Sequence, residues 1–505
     1  MTVLQERLST LVPERLQGIR RGIEKESLRT QASGALALTP HPAALGSALT
    51  HPRITTDYSE SQLELITGVH AGVEACLAEL TQIHQFVYRS IGNEMLWVGS
   101  MPCGLPTDET IPIGLYGSSN VGRAKSIYRM GLAHRYGRRM QTISGIHYNW
   151  SMPGVSSEQY FGLIRNFRRH SFLLLLLFGA SPAVCSSFVA GRSHQLQTLA
   201  GQTLHMPYGT SLRMGRLGYQ SDAQATLAVS YNSLESYVAS LREALTRSYP
   251  AYEAIGIRNP GGDYNQLATS LLQMENEFYG TIRPKRVILP DERPLHALRE
   301  RGVEYVEVRC MDLDPFVPVG IEAQTMRFLD VFLLHCLLSD SPPDSPDEIA
   351  ALARNQQRAA ERGREPGLQL ERGHDLVSLQ GWGGQLLTEC DAIAVALDAA
   401  HGGNLHRDAL AAASEVLHDT ANAPSARVLA TAVKDFGGSY VAFTRAQSAQ
   451  TRQALLGLAF PPELAARFEV MAVASEAEQR RIEEADAVPF EAYRQAYLSI
   501  DRLGV

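Results

Sequence analysis

Four short stretches of the chain place charged or polar residues two positions apart between apolar ones. On a β-strand, this spacing puts the polar side chains on one face and their apolar neighbours on the other. We therefore predict four strands with one chemically active face each. The stretches are residues 21–29 with Glu24 and Glu26, residues 55–67 with Glu60, Gln62 and Glu64 after Asp57, residues 142–150 with His147 and Asn149, and residues 303–313 with Glu307 and Arg309.

Several carboxylates on one face of a sheet repel one another unless water or cations neutralise their charge. Magnesium takes oxygen ligands and commonly bridges carboxylates to nucleotide phosphates. The pattern is therefore typical of a phosphoryl-transfer site built on rigid strands. The alternative is more common in proteins: these strands would simply turn a polar face of an antiparallel sheet to solvent.

Other chemical signatures are weak in this sequence. Residues 117–124 (GSSNVGRA) have the glycine spacing of a P-loop, but Arg123 and Ala124 replace the lysine and the hydroxyl residue that would contact phosphate and magnesium. No H-E-x-x-H, G-x-S-x-G or G-x-G-x-x-G element stands out. Zinc protease, serine hydrolase and Rossmann dehydrogenase interpretations therefore lack support.

The cysteines are scattered and form no C-x-x-C pair, which argues against a zinc knuckle, a thioredoxin motif or a disulfide framework. We predict that all of them are reduced thiols. Cys310 is expected to face away from Glu307 and Arg309, so no thiol nucleophile is expected. The six cysteines are Cys76, Cys103, Cys185, Cys310, Cys336 and Cys390.

Composition places the chain among globular proteins that bind small molecules. It has 505 residues, of which 45% are hydrophobic, and its net charge of -7 is spread without long runs of one sign. Neither nucleic acid nor a membrane is expected as a partner. The N-terminus lacks the features of a signal peptide, and the apolar run at 172–178 is far shorter than the ~20 residues that span a bilayer. We predict a cytoplasmic location.

The chain divides by pattern near residue 340. Alternating segments and helices precede this point, and helical spacing dominates after it. Ser345 has the form of a helix N-cap followed by Pro346, and Gly363 suits the end of that helix. We predict an α+β catalytic core over 1–340 and a helical C-terminal region over 345–505 packed on it. Residues 158–178 are predicted to form one long helix with a buried second half.

Many of these stretches, in order from about residue 18 to 335, resemble the single-chain glutamate-cysteine ligases of proteobacterial type, also called γ-glutamylcysteine synthetases. The resemblance is looser after that, although EPGLQL and EADAVPF near the C-terminus still match. The matching stretches are RGIEKESLR, HPAALGSALTHPRITTDYSESQLELIT, YGSSNVGRAKSIYRMGLAHRYGRRMQTISGIHYNWSMP, FGASPAVCSSF, YGTSLRMGRLGY, QMENEFYGTIRPKR and VEYVEVRCMDLDPF.

The resemblance implies a fold related to glutamine synthetase. In that fold a curved, mostly antiparallel sheet flanked by helices forms a funnel that holds ATP, two or three Mg²⁺ ions, for which Mn²⁺ could substitute, and the amino acids. It also implies a role for each matching residue. The metal ligands would be Glu24, Glu26, Asp57, Glu64, Glu307 and His147, and the catalytic arginines would be Arg309 and Arg213. The cysteine pocket would be lined by Tyr128, Arg129, Tyr219 and Tyr279. Phosphate would be bound by His147, Arg283, Lys285 and Arg286.

The reaction implied joins the γ-carboxylate of L-glutamate to the amine of L-cysteine through a γ-glutamyl phosphate, giving γ-glutamylcysteine, ADP and phosphate. This is the first step of glutathione biosynthesis, and feedback by glutathione is a hypothesis that follows from it. We expect a monomer. Two alternatives stay open: a γ-glutamyl ligase with another acceptor amine, and a catalytically silent protein that senses glutamate or nucleotide.

Overall fold

An antiparallel sheet of seven strands forms the centre of the fold. The computed structural model describes residues 3–218, 222–225, 227–289 and 292–503. Twelve strands occur within these ranges: β1 (Arg20–Thr30), β2 (Ile54–Thr56), β3 (Gln62–Ile66), β4 (Met95–Leu96), β5 (Ile146–Ser151), β6 (Ala183–Cys185), β7 (Gln197–Ala200), β8 (Thr203–His205), β9 (Ile282–Lys285), β10 (Tyr305–Met311), β11 (Gln369–Arg372) and β12 (Asp375–Ser378).

The strand order of the central sheet is β2-β3-β1-β5-β10-β9, and β4 pairs with the end of β1. Each of the four predicted polar stretches contributes a strand, namely β1, β3, β5 and β10. Glu60 is the exception, because β3 begins only at Gln62. The predicted combination of an antiparallel sheet with helices is confirmed. β6, β7 and β8 form a separate small sheet, and β11 and β12 form a hairpin.

Helices surround the sheet and make up most of the C-terminal third. Within the described ranges, none of them combines the length and the apolar character that crossing a bilayer demands. The helices are α1 (Val3–Ser9), α2 (Pro13–Gln17), α3 (Val73–Ser90), α4 (Asn120–Tyr136), α5 (Ser157–Phe178), α6 (Ser186–Val189), α7 (Asp222–Ala225), α8 (Leu234–Thr246), α9 (Pro250–Ile255), α10 (Pro294–Arg301), α11 (Ala323–Leu338), α12 (Pro346–Arg362), α13 (Leu379–His401), α14 (Leu405–His418), α15 (Pro424–Phe436), α16 (Tyr440–Gly457), α17 (Pro462–Ala485) and α18 (Phe490–Leu498).

The apolar face of the sheet packs against α3 and α5, and α11 packs on both of these helices. α5 is the long helix predicted from the sequence, and a capping box at Ser156 and Gln159 fixes its start. Its second half is buried, as predicted. A buried ion pair between Arg21 and Asp330, 2.9 Å apart, ties β1 to α11. Helix packing and this ion pair thus hold the sheet on the face opposite the polar side chains.

The C-terminal helices continue the same hydrophobic core. α12 begins at Pro346 with Ser345 as its N-cap and ends before Gly363, as predicted. α12 packs on α5, and α13 and α14 pack on α11. One apolar cluster includes residues from both predicted regions, for example Leu173 and Leu387. The division into a core over 1–340 and a helical region over 345–505 stays a prediction.

The prediction that all cysteines are reduced thiols is wrong for one pair. Cys103 and Cys185 form a disulfide with a Cα–Cα distance of 5.3 Å. They are 82 residues apart in sequence, in the loop after β4 and at the end of β6. Spacing along a chain cannot reveal such a contact, because the tertiary fold creates it. The other four cysteines are free and buried, including Cys310.

Candidate active site

The register of the sheet brings the predicted polar residues onto one surface. Glu24 of β1 lies opposite His147 of β5, and Glu26 lies opposite Glu64 of β3. Glu307 of β10 lies opposite Asn149 on one side. On its other side it pairs with Arg283 of β9. Since directly opposed residues project from the same face, these side chains from five adjacent strands converge.

His147 sits at the centre of the carboxylates. Its Nδ1 lies 3.3 Å from Oε2 of Glu24, and its Nε2 lies 3.6 Å from Oε1 of Glu26. Asn149 donates from Nδ2 to the other oxygen of Glu24 at 3.0 Å. Burial, followed by the charge of Arg309, lowers the pKa of His147. The ring is therefore neutral near pH 7 and can present a lone pair.

Glu307 is surrounded by cations. Lys285 lies 3.2 Å from its Oε1, and Arg309 lies 2.9 Å from its Oε2. Burial favours the protonated acid, but Lys285, Arg309 and His147 outweigh it and hold the pKa of Glu307 well below its usual range. Burial and repulsion by Glu307 act to raise the pKa of Glu24 as well, but a hydrogen bond from His147 and the charge of Lys285 outweigh them and lower it.

Glu26 and Glu64 have the opposite character. Burial, followed by repulsion from Asp57, raises the pKa of Glu26 to about 8, although Arg213 and Arg309 act against this. Burial and repulsion by Glu24, Asp57 and Glu26 raise the pKa of Glu64 well above its ordinary value. This part of the surface thus has an excess of acidic groups over cations.

That excess fits a hard divalent cation. Glu24, Glu64 and His147 each offer a ligand atom, and these atoms lie within 4.8 Å of one another. Oxygen donors of this kind, with one imidazole, suit Mg²⁺ or Mn²⁺. Glu26 and Asp57 lie beside this group. Glu307 is 3.9 Å from Nδ1 of His147, so it borders the same space.

The polar surface lines a cavity of about 670 Å³. Its volume is that of a site for small molecules. Glu60 is not among the described residues lining it; its carboxylate accepts backbone hydrogen bonds from His41 and Leu115 at 2.8 and 2.9 Å instead. The predicted site residues that do line it are Glu24, Glu26, Asp57, Glu64, Tyr128, Arg129, His147, Arg213, Tyr279, Arg283, Lys285, Glu307 and Arg309.

The structure does not place two of the predicted site residues at the cavity. Tyr219 lies outside the described residues. Arg286 follows the end of β9 and donates from Nη1 to the carbonyl oxygens of Arg301 and Gly302. Arg283 and Lys285 are two positions apart and face the cavity, whereas Arg286 is not among the described residues that line it. Strand alternation accounts for the difference.

The remaining predicted side chains occupy distinct parts of the wall. Arg213 is buried and donates from Nη2 to the carbonyl oxygen of Arg309 at 2.8 Å. Tyr279 accepts a hydrogen bond from Nε2 of Gln141 at 2.7 Å. The guanidinium of Arg129 lies 4.4 Å from the ring centre of Tyr116 and donates to the carbonyl oxygen of Asp57. Each of these side chains is held by contacts of its own.

One wall of the cavity was missed by the sequence analysis. α12 contributes residues three or four positions apart along one helix face, namely Pro346, Ile349, Ala350, Ala353 and Gln356. Arg168 and Ser171 of α5 adjoin them. The apolar spacing predicted the helix, but nothing in the sequence indicated that this face would border the site.

Known proteins of one family match this chain over most of its length. The family model for glutamate-cysteine ligase matches residues 6–359. A glutamate-cysteine ligase from Janthinobacterium sp. is 49% identical over 496 residues, covering 95% of this chain and 94% of that protein. One from Azotobacter vinelandii is 48% identical over 497 residues, with 94% and 93% covered. The crystal structure of a glutamate-cysteine ligase from Francisella tularensis in complex with AMP is 35% identical, with a TM-score of 0.91 over 95% of this chain and 97% of that chain.

Proposed function

The chain belongs to the glutamate-cysteine ligase family, and we propose that it joins the γ-carboxylate of L-glutamate to the amino group of L-cysteine at the expense of ATP. The products are γ-glutamylcysteine, ADP and phosphate, and the reaction is the first step of glutathione biosynthesis. The observation that carries this proposal is the surface of paired acids and cations inside the cavity, in a chain 49% identical to a glutamate-cysteine ligase over nearly its full length.

The reaction has two steps. First, a γ-carboxylate oxygen of glutamate attacks the γ-phosphorus of ATP, the bond to the bridging oxygen breaks, and ADP leaves. The amine of cysteine then attacks the carbonyl carbon of the γ-glutamyl phosphate, and phosphate leaves with the former carboxylate oxygen. The cysteine nitrogen loses two protons between the ammonium and the amide, one before the attack and one after it, and these pass to solvent and to the departing phosphate. The protein needs no nucleophile, so its contributions are positioning and electrostatic stabilisation.

Arginine and lysine side chains supply positive charge where negative charge moves. Arg309 and Lys285 are fixed by their contacts with Glu307, and Arg213 is fixed by the backbone of β10. Guanidinium groups suit carboxylate and phosphate oxygens because they can donate two parallel hydrogen bonds. We propose that Arg309 and Arg213 bind glutamate and phosphate oxygens, and that Arg283 and Lys285 neutralise ATP phosphates.

We propose Glu24, Glu26, Asp57, Glu64, Glu307 and His147 as the ligands of two or three magnesium ions, for which manganese could substitute. When bound, such ions neutralise the phosphates and the carboxylates around the transferred group. Without such ions, the raised pKa values of Glu26, at about 8, and of Glu64 favour the protonated form of both carboxyl groups. The low pKa of Glu24 and of Glu307 keeps both carboxylates available as charged ligands.

We propose Tyr128, Arg129 and Tyr279 as the walls of the cysteine pocket, together with Tyr219. Tyr128 and Tyr279 are largely buried at the cavity edge. Their rings offer an apolar surface for the thiol, and a hydroxyl such as that of Tyr279 can bind the carboxylate of cysteine. Burial raises the pKa of both phenols, so they stay neutral donors.

The direct test measures ADP release by the purified chain with magnesium, ATP and glutamate, with and without cysteine, beside mass detection of γ-glutamylcysteine. We expect cysteine-dependent ADP release matched by the dipeptide. A panel of serine, 2-aminobutyrate and non-amino-acid amines tests the acceptor. A clear preference for a bulky or non-amino-acid amine would make the chain a γ-glutamyl ligase of another kind, and binding of glutamate or ATP without turnover would support a sensor.

Feedback by glutathione is a second part of the proposal. Glutathione contains the dipeptide product, so it can occupy the pockets for glutamate and cysteine at once. We expect competitive inhibition against glutamate in initial-rate measurements. Inhibition that persists at saturating glutamate would place the glutathione site elsewhere.

A further inference from the structure

A second group of side chains with ligand atoms lies between helices, among residues that do not line the cavity. His170 comes from α5, and His335 and Cys336 come from α11. One ligand atom from each lies within 4.8 Å of the other two. No local pattern in the sequence indicates this group, because His170 and His335 are far apart along the chain.

The hydrogen bonds of His335 leave one ring nitrogen available. Nε2 lies 2.9 Å from Oε2 of Glu389 on α13, and a carboxylate oxygen can only accept, so Nε2 carries the hydrogen. The other oxygen of Glu389 accepts from Gln385 at 3.0 Å. Nδ1 of His335 is buried, and no hydrogen-bond partner for it occurs among the described residues. Histidine ligands of metals usually donate their second nitrogen to a carboxylate in this way.

His170 has a matching feature. Its Nδ1 is also buried without a hydrogen-bond partner in the described part of the chain. The ring centre lies 5.6 Å from that of His335 and 6.0 Å from that of Trp382, which packs edge-on. Burial, followed by the neighbouring side chains of His335, Arg169 and Arg372, holds the pKa of His170 well below its usual range. The ring is therefore neutral, as metal binding requires.

Cys336 adds a sulfur donor. Its side chain is fully buried and its thiol is free. Burial beside Cys390 raises the pKa of the Cys336 thiol well above its ordinary value, so the thiol is protonated without a metal. Binding of a metal ion would release this proton to solvent.

We propose that His170, His335 and Cys336 bind a divalent transition-metal ion and that Glu389 orients His335. The chemistry of the donor atoms favours Zn²⁺ as this ion. Two imidazoles and one thiolate match the preference of zinc. Bonds of about 2.0–2.3 Å place tetrahedral ligand atoms about 3.3–3.8 Å apart, and this spacing falls inside the 4.8 Å within which the three ligand atoms lie. Water takes the fourth position. The ion would link α5 to α11 behind the sheet.

Cobalt(II) tests this assignment, because it replaces zinc and gives a sulfur-to-cobalt charge-transfer band that oxygen and nitrogen ligands do not give. The full-length chain is titrated with Co²⁺ in the presence of excess Mg²⁺ and ATP, which compete for the acidic cavity. We expect one equivalent to produce the charge-transfer band together with intense visible bands typical of tetrahedral cobalt. Zinc added afterwards should remove both.

Three variants locate the ligands. Cys336→Ala should abolish the charge-transfer band, and His170→Phe, which keeps an aromatic ring for packing, should weaken Co²⁺ binding at least about tenfold. Cys390→Ala, which changes a neighbouring buried thiol, should leave the band intact. Ligase activity and the thermal midpoint without metal confirm that each variant folds. No charge-transfer band in the unaltered chain, or a band that survives Cys336→Ala, would overturn the proposal.

Discussion

At the scale of single residues, four carboxylates on one surface form two pairs whose pKa values shift in opposite directions. Glu24 and Glu307 are held ionised by contacts with His147 or Lys285. Burial, followed by repulsion from neighbouring carboxylates, raises the pKa values of Glu26 and Glu64. The part of the site around Glu26 and Glu64 is thus complementary to added cations, whereas the part around Glu24 and Glu307 is already neutralised by the protein.

The raised pKa of Glu26 predicts how stability depends on pH without divalent cations. Its folded value of about 8 exceeds the ordinary 4.5, so between these values the folded state binds more protons than the unfolded state. The free energy of unfolding therefore falls as pH rises through this range. Because Mg²⁺ replaces the protons, its stabilising effect should be larger near pH 8.5 than near pH 6. Thermal midpoints with and without Mg²⁺ measure this.

The matched variant for this prediction is Glu26→Gln. It removes the proton-binding group while keeping its size, so the stabilising effect of Mg²⁺ should become smaller and less dependent on pH. An equal stabilisation of the unaltered chain by Mg²⁺ at both pH values would contradict the charge state assigned to Glu26.

Glu307→Gln should abolish most activity without unfolding the chain. The change removes a charged ligand and releases Lys285 and Arg309 from their ion pairs. We expect kcat to fall at least about 100-fold, which corresponds to about 2.7 kcal/mol in the barrier. Lys285 and Arg309 can turn to the solvent in the cavity, so the thermal midpoint should stay within about 5 °C.

Glu304→Gln is the control for Glu307→Gln. Glu304 precedes the same strand, but its side chain is 46% exposed and lies 3.7 Å from Arg286. It should retain near-normal kcat. Activity of Glu307→Gln comparable to that of this control would remove Glu307 from the proposed machinery.

At the scale of elements, alternation with a period of two was enough to predict which face of β1, β3, β5 and β10 carries the polar side chains. It was not enough to predict their register, because pairing such as Glu24 with His147 depends on long-range contacts. The disulfide between Cys103 and Cys185 was missed for the same reason. The role of α12 in the cavity wall also depends on tertiary packing rather than on local pattern.

The N-cap of α12 gives a prediction for this element. Ser345 accepts a hydrogen bond from the backbone nitrogen of Glu348 at 3.2 Å. Ser345→Ala should lower the free energy of unfolding by about 1 kcal/mol, seen as a lower urea midpoint. Ser345→Asn should restore it, since asparagine is an equally good cap. If both variants were equally destabilised, the cap would not be the cause.

At the scale of the whole molecule, the helical C-terminal region is joined to the core by buried contacts. Phe468 of α17 stacks on Phe86 of α3 with ring centres 4.9 Å apart. Both belong to the apolar cluster that extends behind the sheet. Helices far from the site in sequence therefore contribute to the core against which its sheet packs.

Phe468→Ala should destabilise the chain by about 3–5 kcal/mol, because it leaves a cavity between α17 and α3. We expect the main thermal transition, followed by circular dichroism, to shift to lower temperature as one unit. Val470→Ala is the control, since Val470 is 68% exposed. A new, separate transition with the main one unmoved would show that the C-terminal helices fold independently.

The central claim is that ATP activates the γ-carboxylate of glutamate in this cavity before cysteine attacks. Glutamate labelled with ¹⁸O in its γ-carboxylate tests it most directly, with mass analysis of the phosphate released. The account predicts one ¹⁸O atom in the phosphate for each molecule of γ-glutamylcysteine formed. Dipeptide formation with unlabelled phosphate would contradict it, because the carboxylate oxygen would then never have been bonded to phosphorus.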